Sequence, residues 1–213
     1  FDFKNAFETY KNILDSIEPR HVEQINFEIS ILFSNWAEYL FSQNNLDECF
    51  IKFTEAFKYY NKNPEIYFKL ANINKEIKNF NESISLYKKA IDLDVKNAVY
   101  YEALASCYEE IGSIYEQKKF LMESLKYNPE SSFVNYKLGS LAYAQNDLNA
   151  GISYMEKAVN LDKSFVKAKF KLALMFENIG RKEDAITLYE SILKFEPENE
   201  AASSNLKMLK SLP

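Results

Sequence analysis

Large and small apolar residues recur along the chain at a constant interval of 34 residues. When units are started at residues 30, 64, 98, 132 and 166, the eighth position of every unit is small and the residue before it is large and apolar. The small residues are Ala37, Ala71, Ala105, Gly139 and Ala173, and the large ones are Trp36, Leu70, Leu104, Leu138 and Leu172. Self-similarity at a fixed period is typical of repeat proteins, so the pattern predicts an array of equivalent structural units.

Within a unit, the apolar positions have the period of an α-helix in two successive runs. In the unit 64–97 these positions are Tyr67, Leu70 and Ala71, and then Phe80, Ile84, Tyr87, Ala90 and Ile91. The breaks carry residues that begin or end helices, because Asn63 can cap a helix that starts at Pro64, and Gly112 and Gly180 lie where a first helix must stop. Each unit is therefore predicted to be a pair of short antiparallel helices.

The two ends of the chain depart from the 34-residue frame. Residues 2–17 have one apolar face and are interpreted as the second helix of a truncated repeat. Residues 22–63 are interpreted as a repeat with an elongated first helix over residues 22–42. The repeats 64–97, 98–131, 132–165 and 166–199 follow, and residues 200–212 are predicted to form a capping helix with Asn205 facing away from the array. No linker-like segment interrupts the sequence, so residues 1–213 are interpreted as a single array. Because the sequence starts at Phe1 without an initiator Met, we expect an excised or processed piece.

Composition narrows the fold class and the function. The 213 residues include only 4 Gly and 5 Pro, which are too few for the turns of a many-stranded β protein, so an all-α fold is expected. The formal net charge is -5 and no Lys/Arg-rich run occurs, which argues against nucleic acid as a partner. No apolar run is long enough to insert into a membrane. Cys49 and Cys107 suit free thiols in a reducing compartment, with Cys107 partly exposed, so a cytoplasmic location is expected.

Motifs for catalysis or metal binding are absent from the sequence. It contains no GxxxxGK[ST], GxGxxG, GxSxG or HExxH motif. His21 is the single histidine, and we interpret it as an exposed residue at a helix start. The adjacent carboxylates Glu109 and Glu110 would point in different directions on a helix, which favours a solvated face over an acid–base pair. We therefore expect no cofactor, no metal and no enzymatic activity.

These features resemble the tetratricopeptide repeat family. The resemblance is strongest in the unit 166–199, where the family's pattern is matched by Leu172, Ala173, Phe176, Gly180, Ala185, Tyr189 and Pro197. The sequence departs from it at Asn135 and Lys169, which stand in a column that is aromatic at Phe33, Tyr67 and Tyr101. The resemblance implies a right-handed superhelical solenoid of antiparallel helix pairs, whose inner surface is lined mainly by the first helix of each unit.

One stripe on each first helix is left over after the apolar columns are assigned to packing, and we expect it to face that inner surface. It contains seven Glu, two Lys and six aromatic residues. This predicts an acidic, aromatic-lined groove for a protein or peptide with basic and apolar anchors. The predicted peptide-binding residues are Glu38, Phe41, Phe68, Asn72, Lys75, Glu102, Ser106, Glu109, Phe133, Tyr136, Tyr143, Lys167, Phe170 and Glu177. The stripe is completed by Ser34, Glu65, Glu76, Val99, Glu110, Ser140, Leu174 and Asn178.

The aromatic residues of the stripe have a second explanation. Phe133, Tyr136 and Phe170 fill the seam between helices equally well, next to the vacated positions of Asn135 and Lys169. For Phe68 and Tyr143 the groove is the preferred location.

Three functions remain open on the sequence alone. The leading one is a protein-interaction scaffold that captures a peptide or a partner helix. The second is a structural scaffold that self-associates into homo-oligomers through the ends of the array. The third is a regulatory or substrate-selecting arm of a larger enzyme.

One binding mode of the family can be tested directly. Members that hold the acidic C-terminal tails of chaperones use Lys, Asn and Arg from three successive first helices. Here Lys137, Lys167 and Lys171 approximate part of that clamp, but Glu102 and Ser106 stand where Lys and Asn are required. We expect no binding of an acidic C-terminal pentapeptide in isothermal titration calorimetry, and a micromolar affinity that Lys167→Ala abolishes would contradict this.

Overall fold

The computed structural model describes residues 2–211, and within this range the chain is all-α, as expected, without a β-strand. Twelve α-helices and a short 3-10 turn at Pro19–His21 are present in these residues. The helices are α1 Phe3–Leu14, α2 Val22–Ser42, α3 Leu46–Tyr59, α4 Pro64–Glu76, α5 Phe80–Leu93, α6 Ala98–Glu110, α7 Ile114–Tyr127, α8 Ser132–Ala144, α9 Leu148–Leu161, α10 Val166–Asn178, α11 Lys182–Phe195 and α12 Glu200–Ser211.

The chain divides into two compact units, Phe1–Gly112 and Ser113–Pro213. Within unit 1, α2 packs against α3 and α4 packs against α5; within unit 2, α8 packs against α9 and α10 packs against α11. Each of these pairs is a helical hairpin with a short connection. The interpretation of all 213 residues as a single array stays a prediction.

Each unit has its own core, built from the columns that recur every 34 residues. In unit 1 the core includes Phe33, Ala37 and Phe53, and in unit 2 it includes Met155, Leu172 and Ala173. The small residue of each first helix is fully buried or nearly so. At Gly139 even a methyl group is too large, because a Cβ would lie 2.9 Å from Met155 Cγ and 3.1 Å from the backbone oxygen of Gly151. Close approach between paired helices therefore dictates the small column.

Polar side chains begin many of the helices as the sequence indicates. Asn63 caps α4 by accepting a hydrogen bond from Glu65 N at 3.0 Å, with Pro64 as the first helical residue. Asp2, Asn45, Asn97, Ser131 and Asp147 cap α1, α3, α6, α8 and α9 in the same way. These caps satisfy backbone N–H groups that have no partner inside the helix.

The first helices end in a left-handed residue that also recurs every 34 positions. Its φ is positive at Asn44, Lys78, Gly112, Asn146 and Gly180, with values of 59°, 63°, 71°, 63° and 73°. After Asn44, Lys78, Asn146 and Gly180, the next residue donates a backbone hydrogen bond five residues back, as from Asn79 N to Asn74 O at 2.7 Å. This is the Schellman arrangement, in which glycine avoids the steric cost of a Cβ.

Two side chains lie differently from what the sequence indicates. Cys107 is fully buried, not partly exposed, and burial raises the pKa of its thiol. Cys49 is also fully buried, which raises its pKa to about 11. Asn205 on α12 does not face away from the neighbouring helix, because its Nδ2 donates to Tyr189 Oη at 3.0 Å. Cys107, which contacts Phe80 O, and Asn205 thus have partners on other helices that sequence periodicity alone does not identify.

In one column of the repeats, unit 2 has the buried polar residues Asn135 and Lys169 where unit 1 has aromatic residues. Tyr67 Oη and Tyr101 Oη each donate at 3.0 Å to the carbonyl oxygen six residues earlier, which fixes the preceding loop. Asn135 is buried, and among the described residues its Oδ1 has no hydrogen-bond partner. Lys169 is only 4% exposed, and its Nζ donates to Ser191 Oγ at 2.8 Å and lies 4.4 Å from the centre of the Phe195 ring.

We expect Lys78→Gly to stabilise unit 1 by about 1 kcal/mol, because a Cβ at positive φ costs roughly that much. Urea denaturation followed by the fluorescence of the single Trp, Trp36, measures this change. Lys78→Ala is the matched control, since it removes the charge and keeps the Cβ. An equal gain in Lys78→Ala would contradict the backbone explanation.

We expect Lys169→Met to stabilise the chain by about 1 kcal/mol at pH 7, because a buried charge without a carboxylate partner is costly. Burial and nearby Lys163 lower the pKa of Lys169, with Asp162 acting in the opposite direction. The unfolded chain therefore binds the Lys169 proton more tightly than the folded chain does. The loss of stability caused by the buried charge falls as the pH rises from the folded-state pKa towards about 10.4, the ordinary pKa of lysine.

Urea denaturation followed by circular dichroism at pH 7 and pH 10 measures both effects of Lys169→Met. The gain should shrink at the higher pH. Lys157→Met, at an exposed position of α9, serves as the control and should change little. A gain that is the same at both pH values would show that charge burial is not its cause.

Candidate functional site

The first helices of unit 1, α2, α4 and α6, form one surface held together by side chains. Lys69 Nζ on α4 donates to Glu38 Oε2 at 2.8 Å and to Asn35 Oδ1 at 2.7 Å on α2. Tyr100 Oη on α6 donates to Glu65 Oε2 on α4 at 3.3 Å. Burial and the neighbouring Glu65 raise the pKa of Tyr100 to about 12, so this hydroxyl stays a donor. We call the exposed side of these helices the first-helix surface of unit 1.

The first-helix surface of unit 1 carries nearly all the acidic residues of the predicted stripe. Six of its seven glutamates lie on these helices: Glu38, Glu65, Glu76, Glu102, Glu109 and Glu110. Lys75 is the lysine of the stripe in this unit, and Lys69 compensates the charge of Glu38. Glu76, Glu109 and Glu110 are exposed near the ends of α4 and α6. The surface is therefore strongly negative.

Several predicted residues of unit 1 already have packing partners. Phe68 is half-buried, with its ring centre 5.0 Å from that of Tyr100 and 5.8 Å from that of Tyr87. Asn72 Oδ1 accepts a hydrogen bond from Tyr87 Oη at 2.5 Å. Phe41 packs against the core of unit 1. Ser34 does not line a surface because it is buried, and its Oγ donates to Ile31 O at 3.0 Å. Among the apolar stripe residues of unit 1, Val99 is more exposed than Phe41 and Phe68, at 54%.

In unit 2 the first helices α8 and α10 are joined by two side-chain hydrogen bonds. Asn178 Nδ2 donates to Tyr143 Oη at 2.7 Å, and Lys171 Nζ donates to Ser140 Oγ at 2.9 Å. The Lys171 ammonium also lies 5.1 Å from the centre of the Tyr136 ring. The two helices thus present a continuous first-helix surface of unit 2.

A cavity of about 410 Å³ opens on the first-helix surface of unit 2, beside the beginning of α12. It brings together three of the predicted residues, Tyr136, Lys167 and Phe170, and Lys171 also lines it. The remaining lining residues are Val166, Glu196, Asn199 and Ala201. The volume and the aromatic wall suit one large apolar side chain.

Both explanations of the aromatic stripe residues apply in unit 2. The Tyr136 ring packs 5.0 Å from Phe165, and the Phe170 ring packs 5.6 Å from Tyr189, so each fills a seam with one side and lines the cavity with the other. Phe133 is 45% exposed, with Lys137 Nζ 5.5 Å from its ring centre. Tyr143 lies at the surface and is tied to Asn178.

Charge is distributed unevenly between the two first-helix surfaces. In unit 2, Glu177 Oε1 accepts a hydrogen bond from Tyr189 Oη at 2.5 Å. Within the described residues, neither Lys167 nor Lys171 has a carboxylate at ion-pair distance. The sequence predicts one acidic groove along the stripe, whereas the glutamates of the stripe are concentrated in unit 1.

Residues outside the predicted stripe also join neighbouring first helices through side-chain hydrogen bonds. The sequence separation between the bonded residues could have identified them. Lys69 bonds to Glu38 and Lys171 bonds to Ser140, in both cases 31 residues apart. Tyr100 with Glu65, and Asn178 with Tyr143, are 35 residues apart. A period of 34 therefore places neighbouring first helices in contact at one repeat minus three residues or plus one residue.

No cluster of three or more His, Cys, Asp or Glu side chains within residues 2–211 is arranged to hold a metal ion. In the same part of the chain, no helix has both the length and the apolarity needed to cross a membrane.

Family models of the tetratricopeptide repeat match residues 64–97 and 98–131, and a further one matches residues 136–201. The uncharacterized protein ycf37 of Cyanophora paradoxa is 33% identical over 75 residues, which are 35% of this chain and 44% of that protein. The match thus spans less than half the length of this relative.

Solved structures of repeat proteins share the fold. A structure of MamA has a TM-score of 0.68 and 21% identity, covering 80% of this chain and 93% of its own. YrrB, described as a TPR protein with an unusual peptide-binding site, has a TM-score of 0.67 and 15% identity, covering 93% and 97%. The C-terminal part of a TPR repeat-containing protein from Cytophaga hutchinsonii reaches 0.74 at 14% identity, covering 96% and 81%.

The matched family models together cover more than half of the chain, and the matches to residues 64–97 and 98–131 coincide with two of the 34-residue repeats. The chain belongs to the tetratricopeptide repeat family.

Proposed function

We propose that this chain is a protein-interaction scaffold and that its first-helix surface of unit 1 binds a partner segment carrying Lys or Arg beside apolar residues. Protein binding is typical of tetratricopeptide repeats, and the chain has the repeat architecture in both units. The observation that carries the specific proposal is the concentration of six stripe glutamates on α2, α4 and α6.

Electrostatic attraction supports a basic partner segment. Glu76, Glu109 and Glu110 are exposed to water, where their negative charges attract a basic segment. Exposed Val99 on α6 and exposed Tyr39 on α2 offer apolar contact area on the same helices. The proposed complex combines moderate charge attraction with apolar anchors, which favours fast association.

For unit 2 we propose that the cavity lined by Tyr136 and Phe170 receives one apolar side chain of a bound peptide. Tyr136 and Phe170 give the cavity an aromatic lining, and Lys167 and Lys171 line it as well. YrrB shares the fold and is described by its peptide-binding site, which is consistent with a peptide ligand for this architecture.

Self-association and attachment to a larger enzyme stay predictions. Light scattering of the chain at two concentrations tests self-association.

The proposal for unit 1 predicts the result of a peptide selection. A phage-displayed library of random 12-residue peptides, selected on the full chain, should be enriched in sequences with Lys or Arg next to apolar residues. The selected peptide is then titrated by fluorescence anisotropy. The triple variant Glu76→Gln/Glu109→Gln/Glu110→Gln should bind about tenfold more weakly, because three exposed charges at about 0.5 kcal/mol each amount to that factor.

The control for this experiment makes the same charge change elsewhere in unit 1. Glu48→Gln/Glu82→Gln/Asp92→Asn alters three exposed carboxylates on the second helices α3 and α5. It should keep wild-type affinity within about twofold. Equal loss in both variants would show a general charge effect, and enrichment of acidic peptides would refute the proposed partner chemistry.

A further inference from the structure

Helix α7 exposes large apolar residues where the equivalent helices expose polar ones. Tyr115 is 77% exposed and Met122 is 48% exposed. In the other repeats, one or two repeats away from Tyr115, the equivalent residues are Asp47, Asn81, Asn149 and Glu183. The equivalents of Met122 are Thr54, Lys88, Glu156 and Glu190. Four other helices of the same type therefore fold without an apolar side chain at either position.

A lysine on α7 shows the opposite exchange. Lys118 is exposed, whereas its equivalents are the partly or fully buried Phe50, Ile84, Ile152 and Ile186. The polar and apolar pattern of this helix is thus inverted at three positions relative to its own repeats. Packing does not explain the inversion, because an apolar residue at position 118 and polar residues at 115 and 122 would reproduce the common pattern.

The inverted positions lie on one face of α7. Tyr115 and Met122 are seven residues apart, which places them in one line about two turns apart along the helix. Lys118 lies about 40–60° to one side of this line, and on the other side Lys119 lies about 40–60° and Lys126 about 20–40° from it. The face is therefore an apolar ridge between lysines.

The lysines leave a net positive charge on this face. Lys126 is paired with Glu123 at 2.7 Å. Lys119 Nζ lies 5.4 Å from the centre of the Phe120 ring. Within residues 2–211, neither Lys118 nor Lys119 has a carboxylate at ion-pair distance. Two ammonium groups thus border Tyr115 and Met122 without a compensating charge.

We propose that this face of α7, which we call the α7 ridge, is a second protein-binding surface and that it takes an acidic amphipathic helix of a partner protein. The partner's apolar stripe would cover Tyr115 and Met122, and its Asp or Glu residues on either side would pair with Lys118 and Lys119. Aromatic and methionine side chains surrounded by charges are typical of such contacts. This surface is independent of the first-helix surfaces, because α7 is a second helix.

The dimensions of the α7 ridge favour a helix over a membrane. Two apolar side chains and two uncompensated lysines provide less binding energy than stable attachment to a lipid surface requires. The other second helices of unit 2 expose Glu156 on α9 and Glu183 and Glu190 on α11, which anionic lipids would repel. A single helix about as wide as α7 avoids these carboxylates.

The test uses the full 213-residue chain and a phage-displayed library of helical peptides in which one face is randomised. Selection on the wild-type chain, after removal of phage that bind Tyr115→Asn/Met122→Thr, should yield peptides with Asp or Glu beside large apolar residues. The substituted residues occur at the equivalent positions Asn81, Asn149 and Thr54, so this variant should fold normally. In fluorescence anisotropy it should bind a selected peptide at least about tenfold more weakly. Lys118→Gln/Lys119→Gln should weaken binding about fivefold at low salt and have less effect at high salt.

The matched control is Ile51→Ser on α3, which removes a residue that is 53% exposed and has Ser85 and Ser153 as equivalents. It should keep wild-type affinity. The proposal is overturned if the selection yields no peptide that distinguishes the wild type from the α7 variant, or only basic peptides. Wild-type binding to phosphatidylserine vesicles that the α7 variant loses would assign the ridge to a membrane. Concentration-dependent dimers that the α7 variant loses would assign it to a second copy of the chain.

Discussion

The close approach of paired helices at the small-residue column is the constraint on which the rest of each unit depends. Ala37, Ala71, Ala105 and Ala173 are fully buried, and Gly139 faces Met155 and the backbone of Gly151 with no room for a methyl group. Because interiors are close-packed, a short distance between two helices fixes which large residues fill the adjacent gaps. The length of each helix and the loop geometry then follow from keeping this contact in register.

Register also determines which polar residues meet. Neighbouring first helices contact at separations of 31 and 35 residues, as in Lys69 with Glu38 and Asn178 with Tyr143. Such contacts occupy one edge of each first helix and leave the remaining exposed side chains free to differ between units. Unit 1 uses that freedom to carry carboxylates, and unit 2 uses it to form a cavity with two lysines. The proposed binding residues thus overlap only in part with the residues that hold the helices together, since Tyr136 and Phe170 serve both purposes, whereas Glu76 and Glu110 lie exposed near the ends of α4 and α6.

Much of the fold could be predicted because periodicity and helix signals agree. The small column, the cap at Asn63 and the helix ends at Gly112 and Gly180 all follow from a single repeat frame. The left-handed conformation of Lys78 was missed because lysine gives no local signal for positive φ, and only the equivalent Gly112 shows that the frame demands it. Asn205 and Cys107 could not be placed correctly, and the packing of Phe68 against Tyr87 and Tyr100 could not be predicted, since these contacts depend on the rotation of each helix about its axis. The 14-residue site remains a prediction. Its charge distribution could have been read from the sequence by counting glutamates unit by unit.

The left-handed residue after each first helix has a consequence for how such a chain evolves. It stands at the same place in each of the five 34-residue repeats, and at Gly112 and Gly180 an added Cβ would meet no atom within 4 Å. The turn inside each helical hairpin therefore keeps the same backbone geometry, so a duplicated gene segment encodes a hairpin whose turn is already complete. One copy can then diverge on its outer face, as α7 has done, while its joints and its buried column continue to match those of its neighbours.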